Sequence, residues 1–136
     1  MYRIPRYRVC LVREGSHPTE VRAINSPADA YSLLRTYLDL DGSDREHFVA
    51  VLVDTKNKVI GINTVSVGAL NTTIVHPREV FKPAILCNAA SVLLAHNHPS
   101  GDATPSEDDK AVTQRLRDAG TILGITVLDH IIIGED

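Results

Sequence analysis

Two histidines one residue apart, His96 and His98, close an apolar run; a Pro/Ser/Gly loop then leads to Ser106 and Asp109, three apart where a helix should begin. In extended backbone, residues two apart project from the same face, so one ion could accept a nitrogen from each imidazole. A third ligand must come from elsewhere, and the nearest acidic residues are Asp102, Glu107, Asp108 and Asp109. Helical phase points Glu107 away from the apolar stripe that follows but leaves Asp108 and Asp109 both beside it. Two imidazoles, one carboxylate and a water make a catalytic type of zinc site, because structural zinc is normally closed by four protein ligands. The open position lowers the pKa of bound water to about 7, and a carboxylate outside the ligand set then serves as the base. The same donor set would also suit Fe(II) in a non-haem oxygenase.

Each part has an ordinary reading when taken alone. An H-x-H pair occurs on surfaces and in cores that hold no metal, and S-x-x-D is also a helix-capping pattern. The chain supplies its own control in Ser26-x-x-Asp29, which has the same spacing with no H-x-H beside it and reads as a cap only. Specificity lies in the combination, H-x-H followed after seven residues by S-x-x-D.

The elements that must position these residues are legible in outline. Tyr7–Val12 has the β-branched and aromatic content of a strand, and Ser26-Pro27 opens a helix whose stripe is Ala30, Leu33, Leu34, Tyr37 and Leu38. Residues 39–44 break that helix. Phe48–Val53 is apolar on both faces, as in a strand covered on both sides, and Lys58–Val67 returns from a polar turn as its hairpin partner. Pro77 starts another helix, in which Pro83 predicts a kink or two short pieces. Ser91–Ala95 is a short buried strand running into His96. A helix over 106–123 should bury Val112, Leu116, Ala119 and Leu123, and Ile125–Ile133 forms a last strand. The order β, α, β, β, α, β, α, β predicts an α/β fold with a mixed sheet and helices packed on it.

A chain of 136 residues without a repeat or linker reads as one domain, 1–136, able to bury a core without disulfides. A net charge of -3 argues against indiscriminate polyanion binding. Cys10 and Cys87 lie among apolar neighbours, as reduced core thiols do. No signal-peptide pattern and no bilayer-length apolar run is present, so the expectation is a cytoplasmic protein with no membrane partner. Oligomeric state has no readable signature.

The combined motif resembles the signature of the JAMM (JAB/MPN) metal-dependent hydrolases. More closely, VHPREVFK at Val75–Lys82, AHNHPSGDATPSEDD at Ala95–Asp109 and LDHIIIG at Leu128–Gly134 resemble the RadC family. With the strand pair before them these blocks span about residues 44–134. The resemblance implies a three-layer α/β fold related to cytidine deaminases and a Zn2+ ion held by His96, His98 and Asp109. It implies that Ser106 helps stabilise an oxyanion. By itself Glu46 reads as a solvated carboxylate at a strand edge, but the resemblance makes it the general base, with Glu79 as the competing carboxylate. His76, Arg78, Asp129 and His130 belong to the matching blocks without a required role. For Asp129 a hydrogen bond to a metal-bound imidazole is one option and structural packing another. His17 and His47 read as surface residues.

The activity implied is zinc-dependent hydrolysis of a peptide or isopeptide-like amide, with a peptide or protein as substrate. The alternative is a DNA-repair-associated protein, DNA-binding or a metal-dependent nuclease; a third option keeps the fold as a binding module without turnover. Met1–Ser43 contains nothing like the helix-hairpin-helix region of longer RadC proteins, and the short connections leave little room for the ubiquitin-gripping insertions of eukaryotic JAMM enzymes.

Overall fold

A computed structural model describes residues 1–38, 45–68, 75–99 and 104–134. The break at 39–44 and the candidate ligand Asp102 lie outside these residues. The elements run α1 (Pro27–Leu38), β1 (Glu46–Val53), β2 (Val59–Gly68), α2 (Pro77–Leu86), β3 (Ser91–Asn97), α3 (Glu107–Leu123) and β4 (Thr126–Ile133). The sheet has the order β2-β1-β3-β4. β1 lies antiparallel to both β2 and β3, and β3 and β4 are parallel, as a crossover through α3 requires.

Alternation along β1 and β3 sorts the core into two halves. Phe48, Ala50, Leu52, Val92 and Leu94 face α2 and α3, where Val80, Phe81, Ala84, Val112 and Leu116 pack on them. Val49, Val51, Val53, Leu93 and Ala95 face the other way onto Ala30, Leu33, Leu34 and Leu38 of α1. The result is the expected three-layer arrangement, helix on sheet on helices. The hairpin also forms as read, with Asn57 in the left-handed region at φ 61° and donating its N–H to the Asp54 carbonyl at 3.0 Å.

Four expectations need correction. Tyr7–Val12 is not a strand: it is exposed and pairs with nothing among the described residues, where the first bridge to the sheet is Ala23 with Lys58. Strand propensity is realised only where a neighbouring edge accepts the ladder bonds. Cys10 is therefore exposed, and Cys87 is only partly buried, so the pair are not two core thiols. Pro83 does not divide α2, which runs unbroken and buries Val80, Phe81 and Ala84. Burial of that face offsets the single backbone donor that proline lacks. On α3 the stripe is Asp109, Val112, Leu116 and Gly120, while Leu123 is exposed. Gly120 takes the place of a larger residue because a Cβ there would clash with the Ile125 carbonyl oxygen. Gly124, at φ 73°, ends the helix in the left-handed region that glycine tolerates.

Candidate metal centre

The period of two that buries Val92 and Leu94 beneath α3 carries His96 onto the same face. His96 is fully buried, and its ring stacks on Phe48 of β1 with centroids 6.0 Å apart and planes at 12°. His98, one residue past the strand end, remains tied to the sheet because its backbone N–H donates to the Ile133 carbonyl at 2.9 Å.

From the opposite side, the first turn of α3 brings in Asp109. Ser106 is the N-cap: its hydroxyl accepts from the Asp109 N–H at 3.0 Å, and its own N–H donates to Asp109 Oδ2 at 2.8 Å. This reciprocal capping box immobilises the carboxylate as well as the helix end. Asp109 is 4% exposed, whereas Asp108 and Glu107 face solvent, so the choice that helical phase left open falls on Asp109. Ser26 caps α1 through the same hydroxyl contact to the Asp29 N–H, but there the carboxylate accepts from the Asn25 N–H rather than from the capping serine.

The three side chains converge. His96 Nε2 lies 2.8 Å from His98 Nε2 and 3.2 Å from Asp109 Oδ1, and His98 Nε2 lies 3.2 Å from Asp109 Oδ2. A tetrahedral ion with bonds of about 2.0–2.1 Å sets its donors roughly 3.3 Å apart, and each imidazole nitrogen stands near that distance from one of the two Asp109 oxygens. All three donor atoms lie within 4.8 Å of one another, and the donor set of two imidazoles and a carboxylate suits a divalent transition metal.

Electrostatics favour the same use. Burial, reinforced by the neighbouring His130, lowers the pKa of His96 to about 3, outweighing the attraction of Asp109. Burial would raise the Asp109 pKa, but the Ser106 N–H and hydroxyl and the two imidazoles together hold it below its usual value. At neutral pH His96 is therefore neutral and Asp109 ionised, the protonation states that metal ligation requires.

Glu46 is the first residue of β1 and half-buried. The antiparallel register that pairs Phe48 with His96 carries Glu46, two residues earlier on the same face, to the level of His98. Its backbone is fixed from the strand beside it. The buried Asn97, between the two histidines, accepts from the His47 N–H at 2.7 Å and donates to the Arg45 carbonyl at 2.9 Å. Glu79 lies elsewhere, exposed on α2 and paired with Lys82 at 3.2 Å rather than with Arg78. His76 occupies the N-cap position of α2, and His17 packs against Tyr37 and Thr36 of α1.

One neighbour of the site had no role in the sequence reading. His130 of β4, not Asp129, reaches the ligands: its Nε2 lies 2.7 Å from His96 Nδ1, and its Nδ1 meets the Thr113 hydroxyl. Asp129 instead accepts from the His130 backbone N–H at 2.8 Å. Burial also lowers His130, to about 4. A cleft of about 230 Å³ opens alongside, lined in part by Asp109, Thr113, Arg117 and His130. Local sequence offered two clues, a histidine in an alternating strand and a threonine four residues after Asp109 on one helix face, but nothing linked them to His96.

Fold and site thus define an α/β domain with a metal-capable His-His-Asp triad where a strand end meets a helix N-terminus. The chain belongs to the RadC-like JAB domain family, whose sequence profile matches residues 24–136. It is 55% identical over 128 residues to a UPF0758 protein of Rubrobacter xylanophilus, covering 94% of this chain and 54% of that protein. A UPF0758 protein of Desulforamulus reducens is 53% identical over 125 residues, 91% of this chain and 54% of the relative. One from Methanococcoides burtonii is 54% identical over 114 residues, 84% of this chain and 49% of the relative. The chain therefore spans about half the length of these relatives. Among the described residues no helix is long and apolar enough to cross a membrane.

Proposed function

We propose that this domain is a JAMM-type zinc hydrolase that cleaves an amide in a peptide or protein. The observation that carries the reading is the convergence of His96 Nε2, His98 Nε2 and an Asp109 carboxylate pre-oriented by its capping box, with separations of 2.8–3.2 Å. Zinc held by these three residues would supply a Lewis acid and a water of lowered pKa at its remaining position.

The chain's own residues divide the rest of the work. Glu46 takes the proton of the attacking water and passes it to the leaving amine, a transfer that suits a half-buried residue whose strand register, continued past Phe48 and His96, brings it level with His98. The Ser106 hydroxyl uses its oxygen to accept from the Asp109 N–H, which leaves its O–H able to donate to the developing oxyanion. Capping and oxyanion stabilisation therefore draw on different atoms of one group. His96 and Asp109 stay neutral and ionised, respectively, across the working pH range.

The test is Glu46→Gln. Zinc content measured after purification should match the parent protein, while cleavage of a peptide library followed by mass spectrometry should be lost. Full cleavage by the Gln variant would sink the assignment of the base. Cleavage of DNA dependent on His98, with peptides untouched, would favour a nuclease instead. The formal charge of -3 gives that alternative no general electrostatic support.

A further inference from the structure

We propose that His130 and Thr113 form a directional hydrogen-bond relay that locks His96 in its Nδ1-protonated tautomer and so turns the Nε2 lone pair toward the metal point. Insofar as it concerns a metal, the inference rests on the reading of His96, His98 and Asp109 as ligands.

Within the relay itself the direction follows from its terminal group, the Asp109 backbone carbonyl, which cannot donate. Thr113 Oγ1 lies 2.8 Å from the Asp109 carbonyl oxygen, a pure acceptor, so the threonine O–H must be the donor there. Its oxygen is then left to accept, and the group it meets is His130 Nδ1, which must carry the proton. A neutral imidazole protonated on Nδ1 is an acceptor at Nε2. The partner at that nitrogen, 2.7 Å away, is His96 Nδ1, which must therefore donate. Neutral His96 consequently presents a bare Nε2, and that atom is the one beside His98 Nε2 and Asp109 Oδ1.

The opposite polarity exchanges the Thr113–Asp109 carbonyl bond at 2.8 Å for a longer one from His96 Nε2–H to Asp109 Oδ1 at 3.2 Å, and places that N–H at the metal point. The relay also closes a loop, beginning on one ligand, His96, and ending on the backbone of another, Asp109, by way of β4. Phe48 holds both rings in place, stacked on His96 and edge-on to His130 at 5.3 Å and 71°. His130 and Thr113 are thus positioning residues, acting on the metal through the orientation and basicity of His96.

Ring-nitrogen NMR of the zinc-free protein at neutral pH reads the tautomers directly. Both His96 and His130 should be protonated on Nδ1; an Nε2-protonated His96, donating to Asp109, overturns the relay. Zinc affinity, measured by competition with a chromophoric chelator, should fall about 10–100-fold in His130→Ala. His130→Gln, whose side-chain oxygen can still accept from His96 Nδ1, should recover most of that loss. Unchanged affinity in His130→Ala refutes the proposal. Should that variant not fold, the nearly isosteric Thr113→Val should let Nε2-protonated His130 appear and weaken zinc binding by a smaller factor. Wild-type tautomers in Thr113→Val also refute it. Failure of the parent protein to bind zinc would remove the ligand reading, while the ring-nitrogen measurement still decides the relay.

Discussion

Removing the Asn97 side-chain amide should loosen the start of β1 out of proportion to the size of the change. Asn97 is 2% exposed and bridges both sides of Glu46, accepting from the His47 N–H at 2.7 Å and donating to the Arg45 carbonyl at 2.9 Å. Asn97→Ala leaves both backbone groups without that partner. A buried polar group left unpaired costs about 1–3 kcal/mol. Arg45 is exposed, so water can replace the amide there, whereas the half-buried His47 N–H is less easily rescued. The expected loss is therefore about 2–3 kcal/mol in total, from a domain stability on the order of 5–15 kcal/mol. Urea unfolding reads the total, and amide exchange at His47 reads the local opening. Asn97→Asp should recover only part, because one carboxylate oxygen can accept from His47 while the other opposes the Arg45 carbonyl. A loss below about 0.5 kcal/mol in Asn97→Ala, within the range of ordinary surface changes, with His47 still protected, would refute the reasoning.

Acid should weaken the zinc-free fold through the buried imidazoles. Burial lowers His96 to about 3 and His130 to about 4 from an ordinary 6.5, so below 6.5 the unfolded chain binds more protons. Their contribution is complete above pH 6.5 and is lost as pH falls through the folded values, at up to roughly 1.4 kcal/mol per unit for each ring. The two rings share a hydrogen bond, so the full two-proton slope is an upper limit. A lower urea midpoint at pH 5 than at pH 7, measured with a chelator present, is expected; equal midpoints contradict it. Zinc at about a hundred times its dissociation constant should stabilise the fold by about 2.7 kcal/mol, raising the melting temperature by several degrees. His98→Ala should abolish that increment. Gly120→Ala should destabilise by about 1–3 kcal/mol despite alanine's better helix propensity, since the new methyl clashes with the Ile125 carbonyl and meets Phe81 at 3.3 Å. Thermal melts decide the sign.

Local chemistry determined much of this protein without reference to the fold. Ser26-Pro27 and Ser106 start helices because their hydroxyls satisfy backbone donors within the same turn, and Gly124 stops one because it tolerates positive φ. The two-residue spacing of His96 and His98 placed both imidazoles on one side before any sheet was known, since the pleat alone dictates that. Tertiary structure decided the rest, because the remaining choices depend on partners distant in the chain. Ser26–Asp29 and Ser106–Asp109 use the same capping chemistry, yet only the second packs against the end of β3 and presents its carboxylate to two histidines. Tyr7–Val12 carries the composition of a strand but pairs with no edge among the described residues. His130 lies 34 residues beyond His96, and only the parallel pairing of β3 with β4 through the α3 crossover sets its ring against the ligand. Caps and pleats act over a few bonds and are written in order along the chain. A metal centre assembled from a strand end, a helix start and a neighbouring strand exists only once the sheet has closed those distances.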